Sequence, residues 1–202
     1  MTKDEEEVDR LYGHICGLWL AEFDKVNWLI DTHRQAEYIE RSFALFNMIN
    51  EHCEDLSKVS LVACSDPIGI CLLLSKYYDC EIQLLTDHPL VELYSEFYKE
   101  KFNATHVEVN PLFEDFSEHT KDSDLVIFPD FEYFIPLDMC RGDDGGKLTA
   151  AVHYVKHKNP GNSTHSVADE QEFISRLGFK DLIAKKTFKF DETEGYCALG
   201  VR

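Results

Sequence analysis

The sequence predicts an α/β protein: a seven-stranded, mostly parallel sheet with helices on both faces, closed by an antiparallel hairpin at its C-terminal end. Three observations carry that expectation. From Val59 onward, short β-prone apolar runs alternate with helical stretches, the pattern of βαβ crossovers in a parallel sheet. Before Val59 the apolar period is helical. Near the end, two β-prone runs are joined only by Asp191-Glu-Thr-Glu, too short for a parallel crossover, so they pair antiparallel.

The elements follow in order. Leu11, Ile15, Leu18, Trp19, Phe23, Val26 and Ile30 recur at spacings of three and four, as do Phe43, Phe46, Ile49 and Cys53, so the first 55 or so residues read as two amphipathic helices. Val59–Ala63 is the first strand run, followed by a turn and an apolar helix over Ile68–Tyr78. Glu81–Thr86 is the second, leading into a helix opened by Asp87-His-Pro, with apolar positions Leu90, Leu93, Phe97 and Phe102. Strands over Thr105–Val109, Asp124–Phe128 and Leu148–His153 come next. A helix with an acidic start spans Ala168–Leu177 and stops at Gly178, where a C-cap is expected. Leu182–Phe190 and Gly195–Val201 form the hairpin. The chain thus divides into a helical cap at 1–56 and a sheet domain at 57–202.

Charge narrows the function. The 202 residues hold 38 Asp+Glu against 20 Lys+Arg, a formal net charge of −18. Such a surface repels phosphate, and counterion release needs clustered Lys and Arg, which argues against nucleic acid as a partner. No Lys/Arg-rich amphipathic helix suits a membrane surface. Apolar runs such as Ile68–Ser75 fall well short of the roughly 18–20 residues that span a bilayer. The acidic start, Met1-Thr-Lys-Asp-Glu-Glu-Glu, is unlike a signal peptide, so the expected location is cytoplasmic. Seven cysteines without a Cys-x-x-Cys pair suggest neither a disulfide framework nor a zinc site; most fall in apolar patterns, and a lone catalytic Cys stays open. No His-Glu-x-x-His spacing occurs, and no metal is expected.

Ligands of doubly wound sheets sit beyond the carboxyl ends of the strands. The loop after the first strand reads Ala63-Cys-Ser-Asp-Pro-Ile-Gly69. Small residues there let the backbone approach a ligand, and Gly69 lets helix and strand pack closely; an ordinary βα turn has the same features. The second strand ends in Leu84-Leu-Thr-Asp-His-Pro89, with Asp87 eighteen residues past Gly69. A carboxylate at that point accepts hydrogen bonds from both hydroxyls of a ribose, and it equally suits a helix N-cap. Pro129-Asp-Phe-Glu-Tyr-Phe134, at the end of the fourth strand, mixes carboxylates with aromatics. His153 and His165 are candidate general bases near neutral pH, or surface histidines.

Over roughly residues 57–202 this order resembles the class I S-adenosylmethionine-dependent methyltransferases. Cys64-Ser-Asp-Pro-Ile-Gly69 is similar to the variant Gly-Ser-Gly-Pro-Leu-Gly form of that family's first motif, as in nicotianamine-synthase-like proteins. Asp87 matches the ribose acid of the second motif, and Asp124-Leu-Val-Ile-Phe-Pro-Asp-Phe-Glu132 resembles the fourth. More narrowly, the last segment resembles Asp-Leu-Val-Ile-Asn-Thr-Ser-Cys-Glu-His of short bacterial and phage methyltransferase-like proteins, with Glu132 in register.

The resemblance implies a Rossmann-like methyltransferase fold and S-adenosylmethionine as cofactor. It places Ala63, Ser65, Asp66, Gly69, Asp87, Asn110 and Asp130 on the cofactor side, with Asp115 an alternative to Asn110 near the adenine. Glu132, Tyr133 and His153 then surround a small-molecule methyl acceptor, cationic or neutral in view of the charge. The amino-terminal helices around Trp19, Tyr38 and Phe43 form a lid. Departures from the family pattern carry a competing expectation. Ala63 stands where an acid commonly ends the first strand, and Cys64 or Ser65, with Asp66, replaces motif glycines. A chain that kept the fold and lost the cofactor would be a structural or interaction protein, for example of a phage. A nicotinamide-dependent dehydrogenase fits less well, since no Gly-x-Gly-x-x-Gly is present. Oligomeric state stays open.

Overall fold

In the computed structural model, residues 32–64, 67–109, 116–129, 147–154, 167, 169–190 and 193–202 are described. Among them the strands are β1 (Lys58–Val62), β2 (Glu81–Leu85), β3 (Ala104–Val107), β4 (Leu125–Phe128), β5 (Leu148–Tyr154), β6 (Asp181–Phe190) and β7 (Thr193–Val201). They form one sheet in the order β3-β2-β1-β4-β5-β7-β6. Its first five strands are parallel, with Val59 of β1 opposite Ile82 on one side and Leu125 on the other. β7 runs antiparallel between β5 and β6, which is the hairpin expected from the short connection. The sheet is the Rossmann-like arrangement that the sequence implied.

The helices are α1 (Thr32–His52), α2 (Ile68–Tyr77), α3 (Pro89–Leu93), α4 (Ser95–Phe102), α5 (Ser117–Thr120) and α6 (Glu170–Leu177). β1 is buried on both faces from Val59 to Val62, as a central parallel strand must be. Leu61, Leu84, Ile127, Val152 and Leu199 share one core with Phe43, Phe46 and Ile49 of α1, with α2, and with Tyr98 and Phe102 of α4. Val62, Leu85, Val126, Phe128 and Ala198 face a second core, closed by Phe173 and Leu177 of α6. α2 is apolar nearly all round, with Ile70, Cys71, Leu73 and Leu74 at 0–1% exposure, as suits a helix packed against both α1 and α4 in the core. α1 packs on α2 and on β5, β6 and β7. Phe43, expected in a lid, is therefore part of the sheet's own core; Trp19 lies outside the described residues, as does the side chain of Tyr38.

Two boundaries differ from the sequence reading. The helix expected from Asp87 through Phe102 is broken at Tyr94 into α3 and α4, and Leu93 is 67% exposed instead of buried. The turn re-aims α4 so that Tyr98 and Phe102, four apart, both reach the core. Asn103 then ends α4 in the left-handed conformation, at φ 51°, and β3 begins at Ala104. α6 starts after Asp169, whose carboxylate accepts from the Glu172 N–H at 2.8 Å, and it ends at Gly178 at φ 66°, the expected C-cap.

At the amino ends of the central strands the polar groups are structural. The Asp124 carboxylate accepts from the backbone N–H groups of Ser57 and Lys58, at 2.7 and 3.0 Å. Buried Ser60 and Ser123 share a hydroxyl contact of 2.7 Å between β1 and the start of β4. Among the described residues no helix is long and apolar enough to cross a membrane.

Candidate functional site

At the opposite, carboxyl end of the sheet, β1 stops at Val62 and the chain turns sharply. Ala63 has φ 56°, a left-handed conformation that is uncommon outside glycine, and it is 1% exposed. Its N–H donates to Leu85 O of β2 at 2.9 Å, so the turn is tied to the neighbouring strand. Thr86, the first residue beyond β2, makes the next tie. Its hydroxyl donates to Cys64 O at 3.0 Å and accepts from the His88 N–H at 3.1 Å. Its backbone N–H donates to Val107 O of β3 at 3.3 Å. Its carbonyl lies 2.9 Å from His106 Nε2, and since a carbonyl only accepts, that nitrogen carries the proton.

Asp87 projects from this braced turn. It is exposed, and no hydrogen bond engages its carboxylate among the described residues. The capping alternative is therefore not realised: the Thr86 hydroxyl holds the His88 N–H, and the Val91 and Glu92 amides of α3 donate to His88 O. A carboxylate at the end of β2, one strand from the point where the strand order reverses between β1 and β4, is left open to a ligand.

The end of β4 is held differently. Pro129 is buried, and its carbonyl accepts from Arg41 Nη1 of α1 at 3.1 Å. Arg41 is itself 2% exposed, and its charge reaches Cys197 of β7. Burial pushes that thiol far up, with Arg41 and Lys186 partly opposing. Cys53 and Cys80 are likewise raised by burial, Cys80 to about 11. All five described cysteines, 53, 64, 71, 80 and 197, are buried, and none is in a disulfide. For Cys53, Cys80 and Cys197 the raised thiols are the reverse of what a nucleophile needs.

Of the residues expected on the cofactor side, Ala63 and Asp87 come together at the paired ends of β1 and β2, where Val62 stands opposite Leu85. Gly69 lies in the first turn of α2, buried. Its close approach is to α1 rather than to a strand: a Cβ added there would meet Ser42 Oγ at 2.6 Å. Ser65, Asp66, Asn110, Asp115, Asp130, Glu132, Tyr133 and His165 lie outside the described residues. His153 is in β5, its backbone opposite Tyr196 of β7, while its side chain also lies outside them.

Sequence reasoning passed over Thr86, His106 and Arg41. Thr86 had a local signal, a hydroxyl residue at a strand-to-helix boundary, where it bonds the backbone two residues on. His106 had none, because its contact depends on the β2–β3 register, which sets it beside Leu84.

No protein-family model matches the sequence, and no curated protein sequence matches it. Solved structures do. The N-methyltransferase NodS from Bradyrhizobium japonicum WM9, in complex with S-adenosyl-L-homocysteine, matches with a TM-score of 0.58 at 11% identity, over 95% of this chain and 98% of that one. Magnesium protoporphyrin IX methyltransferase (ChlM) from Synechocystis PCC 6803, with bound S-adenosyl-L-homocysteine, matches with a TM-score of 0.60 at 10% identity, over 87% and 88%. The [4+2]-cyclase SpnF matches with a TM-score of 0.56 at 11% identity, over 79% and 80%. Other matched structures are longer proteins, of which this chain spans 50% and 56%. At these identities the likeness establishes the fold alone: the Rossmann-like fold that these solved structures share.

Proposed function

We propose that the protein is an S-adenosylmethionine-dependent methyltransferase acting on a small-molecule acceptor. The observation that carries this reading is Asp87, exposed and unengaged on a turn that hydrogen bonds hold in place, at the carboxyl end of β2. A carboxylate there accepts from both ribose hydroxyls without giving up a structural bond. The left-handed turn at Ala63 brings the backbone round beside it, and Ser65, Asp66, Asn110 and Asp130 complete the cofactor side. S-adenosylmethionine, when bound, supplies an electrophilic methyl group on a sulfonium.

The acceptor side falls to the segment after β4 and to the end of β5. Glu132 holds an amine or takes its proton, Tyr133 presents its ring to positive charge, and His153 passes the proton to water. Arg41 fixes the origin of that segment through Pro129 O. A net charge of −18 favours cationic or neutral acceptors over anionic ones. In the matched structures the fold serves both a methyltransferase and a cyclase, so the site and not the fold must decide the chemistry.

A second reading rests on Ala63, which offers no carboxylate at the end of β1: a protein of this fold that binds no cofactor and acts as an interaction subunit. Calorimetric titration with S-adenosylhomocysteine separates the two. The enzyme reading predicts saturable heat with one site. No heat at about millimolar ligand, together with a stable oligomer or co-purifying partner in ultracentrifugation, supports the second.

A further inference from the structure

We infer that Thr86, seconded by His106, is a positioning residue that holds Asp87 for ligand binding; the inference rests on the cofactor reading of Asp87 given above. Thr86 is 1% exposed, yet each of its polar groups is used. One hydroxyl spans the residue in question. It donates across the sheet to Cys64 O, in the loop after β1, and accepts from the N–H of His88, the residue following Asp87. The peptide preceding Asp87 is fixed as well, because its carbonyl takes the His106 Nε2 hydrogen at 2.9 Å, while Thr86 N–H reaches Val107 O. The peptide before Asp87 is thus tied to β3, and the one after it to the Thr86 hydroxyl, itself anchored on Cys64 O, leaving the side-chain torsions of Asp87 as its main freedom.

Such an arrangement makes sense for a residue that must present its carboxylate to a pair of hydroxyls without searching. An ordinary strand-to-helix turn needs one capping bond; here five contacts, counting Ala63 N–H to Leu85 O, converge on the ends of three strands. They also couple the loop after β1 to the loop after β2, the two segments between which a bound nucleoside would lie. Thr86 touches no ligand in this account; it acts through Asp87.

The test is a double-mutant cycle read as S-adenosylhomocysteine affinity by calorimetry, with thermal melting measured on each variant. Thr86→Val keeps the shape and removes the hydroxyl, and it should weaken binding about fivefold to tenfold, the worth of one neutral hydrogen bond. Thr86→Ser restores the hydroxyl and should bind within about twofold of the parent. In an Asp87→Ala background, Thr86→Val should change affinity by less than about twofold, because nothing remains to be positioned. His106→Phe, which cannot donate to Thr86 O, carries the same comparison if Thr86→Val does not fold. Equal weakening in both backgrounds marks a merely structural residue and overturns the inference, as does parental affinity in Thr86→Val. Absence of binding by the unaltered protein overturns the cofactor reading and this inference together; binding that ignores Thr86 and His106 overturns this inference alone.

Discussion

Two aspartates at opposite ends of the sheet show how the same residue type is spent differently. The Asp124 carboxylate is committed to two backbone N–H groups that join β1 to β4, whereas the Asp87 carboxylate has no such engagement among the described residues. Losing charged hydrogen bonds typically costs about 1.5–3 kcal/mol. Asp124→Ala should therefore lower unfolding free energy by about 1–2 kcal/mol, at the low end because the site is exposed, and leave S-adenosylhomocysteine affinity unchanged. Asp87→Ala should do the reverse: affinity falls about tenfold to a hundredfold while the denaturation midpoint holds. A fall in stability without a change in affinity would return Asp87 to a capping role. Asp87 was legible from its place at a strand end, eighteen residues past Gly69, but its freedom to bind depends on Thr86 taking over the cap, and that depends on a hydroxyl two residues away.

Among the elements, the strands were legible because each is a short apolar run between turn signals, and β1 and β4 are buried nearly throughout. The break at Tyr94 was not, since Leu90, Leu93 and Phe97 keep a helical spacing across it and only packing against β3 re-aims α4. The sequence suggests a close approach of helix and strand at Gly69, whereas the close neighbour there is α1. The Gly69 hydrogen faces Ser42 of α1, so the constraint belongs to the α1–α2 contact. Gly69→Val forces those helices apart or displaces Ser42, and such overpacking typically costs about 1–3 kcal/mol. Thermal unfolding of that variant should show the loss. Unchanged stability would mean that the two helices separate freely and that α1 is not part of the core.

For the molecule as a whole, buried thiols and phenols set an alkaline limit. Burial raises Cys80 to about 11 from an ordinary 9.0, with Asp79 and Asp124 adding to it, and Cys53, Cys197, Tyr78 and Tyr196 move in the same direction. The unfolded chain releases the Cys80 proton near pH 9.0 while the folded chain keeps it to about 11, so this contribution is complete below the lower value and is lost as pH rises through the higher. Denaturant titrations across that interval should show the parent losing about 1–2 kcal/mol more than Cys80→Ala. Parallel curves for the two proteins would contradict the burial of that thiol. The sheet order and the hairpin were legible from alternation and from one short connection; what the sequence could not convey is which polar groups the parallel register brings together, as with His106 and Thr86. The central claim is that the turn joining β2 to α3 is half of a nucleoside site, and a crystal structure with S-adenosylhomocysteine tests it most directly. The account predicts the Asp87 carboxylate at about 2.6–3.0 Å from both ribose hydroxyls, with the ligand lying over Ala63 and Cys64. A ligand bound elsewhere, or one whose ribose does not touch Asp87, would contradict it.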